Sequence, residues 1–158
     1  MTEATQLKLA KTEFSLLCEM LDSRKWHYEK NEEKLAIDVT VTGDDLPMRL
    51  IIRIDPERQL ASLLSSMPFE VPEAMRKNMA VAVSCANHGI VDGGFDYDVD
   101  DGHLVFRLTA SFKESLISNE VFDYMVNASC SMIDEYNDKF FMVVMQKMSI
   151  DEIVKFIQ

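Results

Sequence analysis

Two neighbouring stretches abandon the helical apolar repeat for a period of two, and this change limits the possible folds more than any other feature of the chain. In Lys34 to Thr42, the residues Leu35, Ile37, Val39 and Val41 alternate with Ala36, Asp38, Thr40 and Thr42. In Pro47 to Asp55, Met48, Leu50, Ile52 and Ile54 alternate with Arg49, Ile51 and Arg53. A strand sends successive side chains to opposite faces, so each stretch has one face to bury. Gly43-Asp44-Asp45-Leu46-Pro47 joins the two, and Asp55-Pro56-Glu57-Arg58 follows. Turn residues over so short a span connect antiparallel neighbours. Trp26 to Glu29 and Gln59 to Met67 read as weaker strands on either side, which makes a meander.

The flanks supply helices to cover that sheet. From Thr5 to Leu21, Leu7, Ala10, Phe14, Leu17, Cys18 and Leu21 form one apolar stripe, with Lys8, Lys11, Glu13 and Glu19 off it. Pro72 suits the first position of a second helix, which runs to about His88, and Gly89 is its expected stop. Phe95, Tyr97 and Val99, then Leu104, Phe106, Leu108 and Ala110, alternate on either side of the turn Asp100-Asp101-Gly102, which predicts a hairpin. A long helix spans Asn119 to about Met148, with Asn137-Asp138 as the place where it could bend. Ser149 with Glu152 is a capping box that opens a short last helix. The prediction is a single α+β domain over residues 1–158. Its antiparallel sheet, a meander plus a hairpin, is packed with helices in the order α-β-β-β-β-α-β-β-α-α.

The chain is acidic, with net charge -11 and a pI near 4.6. Its Lys and Arg residues form no cluster, which argues against nucleic acid and against an anionic membrane surface. Three widely spaced cysteines, Cys18, Cys85 and Cys130, make no disulfide framework and no C-x-x-C pair. The first residues lack the basic start and apolar run of a signal peptide, and no apolar run reaches membrane-spanning length. The expected location is the cytoplasm.

No catalytic or metal site and no cofactor are read from the residues. Asp96-x-Asp98-x-Asp100-Asp101-Gly102 imitates the start of a calcium loop, but position six is Asp101 and position twelve is Arg107. Such loops need Gly and Glu there, so the run reads as the acidic outer face of a hairpin. His27, His88 and His103 form no zinc-binding pair. No nucleophile elbow is present, and the cysteines sit on apolar helix faces. Gly93-Gly94 lacks the remaining residues of a phosphate-binding loop.

What remains is surface. The second helix mixes small residues with methionines, and Met75, Met79, Ala82, Val83 and Ala86 could pack on the chain's own sheet or form a dimer or partner face. The stretch Phe140 to Met148 is apolar on more than one side, through Phe140, Phe141, Met142, Val143, Val144 and Met145, which invites a covering chain.

Asn87-His88-Gly89, Gly94-Phe95-Asp96-Tyr97-Asp98 and Asp101-Gly102-His103-Leu104-Val105-Phe106-Arg107, with the long helix after them, resemble the YbjN-like bacterial proteins. The resemblance implies a fold like that of type III secretion chaperones, a curved antiparallel sheet with helices on one face, often paired as a homodimer. It implies a sensory or regulatory role and carries over no catalytic residue. The expected function is a non-catalytic, chaperone-like or regulatory module that binds a protein partner, with a homodimer expected. The alternatives are a sensory or regulatory subunit of one fixed partner, and an enzyme of unrecognised type.

Overall fold

The computed structural model describes residues 1–44 and 46–158; Asp45, within the predicted turn between the first two clear strands, lies outside the described residues. The chain runs α1 (Glu3–Ser23), β1 (Tyr28–Asn31), β2 (Ala36–Thr42), β3 (Pro47–Asp55), β4 (Leu60–Ser66), a 3-10 turn (Glu73–Met75), α2 (Arg76–Gly89), β5 (Gly94–Tyr97), β6 (Leu104–Ser111), α3 (Asn119–Met145) and α4 (Ile150–Ile157). Six antiparallel strands form one sheet in the order β1-β2-β3-β4-β6-β5. This is the predicted α+β order of meander, helix, hairpin and two helices. The second strand of the hairpin inserts beside the meander, leaving β5 at an edge.

Register carries the alternation across the sheet. Ile37 opposes Ile52, Ile52 opposes Leu63, and Leu63 opposes Leu108. Every member of that row is buried. Helices cover this face: α1 packs on β3, α3 on β4 and β6, and α2 along β5. Phe95 meets Phe106 and Phe140 edge-on at centroid distances of 5.1 and 5.0 Å, which ties the sheet to α3.

The turns between β1 and β2 and between β3 and β4 share one chemistry. Asn31 Oδ1 accepts the Lys34 amide and Asp55 Oδ1 accepts the Arg58 amide, both at 2.9 Å. Each turn then ends on a residue with positive φ, Leu35 at 47° and Gln59 at 54°. An Asx side chain bonding its own turn explains the tight return without glycine.

Several boundaries differ from the sequence expectation. Pro72 caps a 3-10 turn, and α2 begins only at Arg76. Gly89 ends α2 from inside the helix and takes no left-handed conformation. Leu7, predicted on the buried stripe of α1, is exposed, whereas Glu13, predicted off it, is buried. The loop before α3 reverses the latter, because the Ile117 amide donates to Glu13 Oε1 at 2.6 Å. The β5 strand stops at Tyr97 and leaves Val99 exposed. α3 continues unbroken through Asn137 and Asp138 for 27 residues, about 40 Å, and ends three residues early. The Ser149 and Glu152 capping box opens α4 as expected.

Candidate functional site

Among the described residues, the helices pack on one face of the sheet and leave the other without a helix. Its side chains come from the other half of the alternation: Asp38 on β2, Arg49, Ile51 and Arg53 on β3, Leu64 on β4, Val105 and Arg107 on β6, and Asp96 on β5. Ile51, Leu64 and Val105 are only half-buried. Ile51 stands opposite both Asp38 and Leu64, and Leu64 opposite Arg107, so the apolar centre is bordered by charge on either side. Arginine stems can shield apolar neighbours while their heads stay in water.

Two of the three arginines on this face are paired. Arg49 Nε lies 3.0 Å from each Asp38 oxygen, and its guanidinium holds the Asp38 carboxyl below the usual range. Arg107 grips Asp96 with Nε at 2.8 Å and Nη2 at 3.0 Å. Arg53 has no ion-pair partner among the described residues. Two grooves meet at Ile51 and Arg53. One, of about 560 Å³, reaches the β1–β2 hairpin through Lys30, Asn31 and Lys34. The other, of about 460 Å³, lies between the ends of β3 and β4.

The sheet edges differ. On β5, the Asn87 side chain donates to the Phe95 carbonyl at 3.0 Å and accepts the Phe95 amide at 2.8 Å, which occupies the groups another strand would use. On β1, the charged sequence Tyr28-Glu29-Lys30-Asn31 forms the other edge.

The face predicted from sequence for a dimer or partner is internal. Met75, Met79, Ala82, Val83 and Ala86 are all buried, at 7%, 0%, 0%, 6% and 0% exposure. α4 packs on α2, burying Ile153 and Ile157, and β5 and α3 cover more of α2. The small residues do permit close approach, but the helix that approaches belongs to the same chain. A second chain would have to displace it, so these five are corrected to core positions. The apolar end of α3 is divided: Phe140 and Val143 are buried, while Phe141, Met142 and Met145 are 46%, 38% and 64% exposed. Phe69 meets Phe141 edge-on there, centroids 5.8 Å apart.

The other chemical candidates are scattered. Asp98 Oδ1 accepts the Asp100 amide at 2.8 Å and Asp101 Oδ1 accepts the His103 amide at 2.7 Å, so these carboxylates bond within their own turn. Gly102, with φ +80°, lies so close to the Val71 carbonyl that a Cβ would stand 2.4 Å from its oxygen, so the turn requires glycine. No group of three or more His, Cys, Asp or Glu side chains among the described residues could hold a metal. Burial pushes the Cys18 thiol up and the Cys130 thiol up to about 11, opposite to what a nucleophile needs. His27, His88 and His103 are exposed, and among the described residues only His103 makes a side-chain hydrogen bond, with Ser66 Oγ at 3.3 Å.

The sheet face escaped the sequence reading although its alternation was on view. Ile51 interrupts the polar half of β3, and that is the signal that could have found it.

Comparison with known proteins supports the fold. No curated protein matches the chain in sequence. A chain of the HopA1-SchA chaperone-effector complex superposes with a TM-score of 0.59 at 11% identity, over 84% of this chain and 97% of that one. The crystal structure of YbjN, described as "a putative transcription regulator from E. coli", superposes with a TM-score of 0.57 at 15% identity, over 80% and 92%. At these identities the likeness concerns the fold, which is the chaperone-like architecture expected from the sequence. Residues 14–142 match the family described as "Putative bacterial sensory transduction regulator", and the chain belongs to the YbjN family.

Proposed function

We propose that the chain is a single-domain, non-catalytic protein-binding module, chaperone-like or regulatory, which acts in the cytoplasm as a homodimer. The observation that carries this reading is the helix-free sheet face, where half-buried Ile51, Leu64 and Val105 lie among arginines instead of under a helix. An apolar centre with a charged rim is the arrangement of a protein interface. Burial that pushes the Cys18 and Cys130 thiols up argues against a nucleophilic role for these two. The structural likeness to a chain from a chaperone–effector complex supports the chaperone-like form. No helix among the described residues is long and apolar enough to cross a membrane.

The family description favours a second form, a regulatory subunit of one fixed partner. Gentle affinity capture of the tagged protein, with quantified mass spectrometry, separates the two. One stoichiometric partner supports the fixed subunit, and many substoichiometric unfolded segments support the chaperone. Capture of nothing above background would sink both. The homodimer is checked by native mass, which should be twice 18.1 kDa.

A further inference from the structure

The groove of about 460 Å³ opens where β3 and β4 part. The two strands pair from Asp55 opposite Leu60 to Ile51 opposite Leu64, and the ladder stops there. Yet β3 extends to Pro47 and β4 to Ser66. Main-chain groups alternate in direction along an antiparallel strand. The Ile54 amide donates to Leu35, on the β2 side, so that of Arg49 points the other way, toward β4. Just past β4, the Met67 amide donates to Leu104, on the β6 side, so that of Ser66 points toward β3. Arg49 and Ser66 therefore turn main-chain polar groups into an opening that no strand fills.

The lining adds two features. Ile51, Leu64, Pro68 and Val105 give apolar walls, and Ile133 of α3 lies at the base. Arg49, Arg53 and His103 also line it, and among the described residues no Asp or Glu does, in a chain with 27 acidic residues and net charge -11. Arg49 is held by Asp38, which leaves Arg53 as a positive charge without an ion partner among the described residues. An open cleft into which main-chain groups point suits an extended chain better than an enclosed small ligand.

We propose that this groove receives an extended acidic segment of a partner protein. The segment sets a carboxylate on Arg53, lays an apolar side chain against Ile51, Leu64 and Val105, and hydrogen-bonds the main chain of Arg49 and Ser66. This rests on the protein-binding reading above and specifies the partner's chemistry.

The test is selection of randomised peptides displayed on phage against the purified full chain. Enriched sequences should place Asp or Glu near a bulky apolar residue. A synthetic copy should bind in fluorescence anisotropy, and more weakly as salt rises. Arg53→Glu and Leu64→Ser should each weaken binding about tenfold or more. Arg58→Glu, exposed on the β3–β4 turn, should leave it unchanged. Far-UV spectra and melting curves verify that the variants are folded. Peptides that bind Arg53→Glu and Leu64→Ser as tightly as the unaltered chain would overturn the groove and leave the protein-binding reading standing. Failure to enrich any peptide would overturn the groove assignment, and the affinity capture above would then decide the protein-binding reading. If Arg53→Glu halves the native mass, the occupant is a second copy, and the assignment to a partner protein falls.

Discussion

Asn87 closes one edge of the sheet with a single side chain. Its amide takes both the N–H and the C=O of Phe95, as a further strand would. Asn87→Ala should lower stability by about 1 kcal/mol, since water can reach the vacated groups and limits the loss. Urea unfolding should show a lower midpoint at constant slope, and an unchanged midpoint would mean that water serves Phe95 equally well. Glu13 is the opposite case, a carboxyl buried without a full set of partners. Burial raises its pKa, and the Ile117 amide pulls it back only in part, while Oε2 has no partner among the described residues. Between its ordinary value of 4.5 and the raised one, the folded chain holds a proton that the unfolded chain has lost. Stability therefore falls as pH rises through that window, and the cost persists above it. Glu13→Gln keeps an acceptor for Ile117 without the charge. Its stability relative to the unaltered chain should be best at neutral pH and should decline as pH falls toward 4.5, as urea unfolding at several pH values would report. A difference independent of pH would rule out an ionised Glu13 as the cause. Sequence placed Glu13 off the apolar stripe because it is charged. What buries it is a loop more than a hundred residues away.

At the scale of elements, α2 and α4 depend on each other. The small and sulfur-bearing stripe of α2 signals close packing, and α4, with Ile153 and Ile157 buried, is what packs there. From sequence alone, Val83→Glu would be expected to split a dimer without unfolding it. With Val83 only 6% exposed, the substitution should instead destabilise the monomer by about 3 kcal/mol or more, because a carboxylate is placed in the core. Thermal melting checks this, and a melt like that of the unaltered chain would return the stripe to the surface. Element identity was legible where a local signal was strong: the alternation of β2 and β3, and the Ser149–Glu152 box of α4. The start of α2 was not, because Pro72 is equally at home before a single 3-10 turn.

At the scale of the whole molecule, the sheet has a helix-covered side and an open side, and adjacent residues of β4 report on each. Leu63 is fully buried and Leu64 is half-buried. Leu63→Ala should cost on the order of 2–5 kcal/mol, and Leu64→Ala much less. Differential scanning calorimetry of the two variants checks this, and equal costs would mean that the open face is as well packed as the core.

The class of fold, the order of the elements and the antiparallel meander are all written locally in the chain. These follow from periods of two and of three to four residues and from turn and cap residues, all of them relations between near neighbours. Tertiary structure decided the insertion of β6 between β4 and β5, the placing of α4 on α2, and the parting of β3 from β4 that leaves Arg53 beside an unfilled groove. Period marks that a face must be buried but does not name its cover. The choice among covers depends on which distant surfaces fit with the least polar loss, and that is settled only when the whole chain packs.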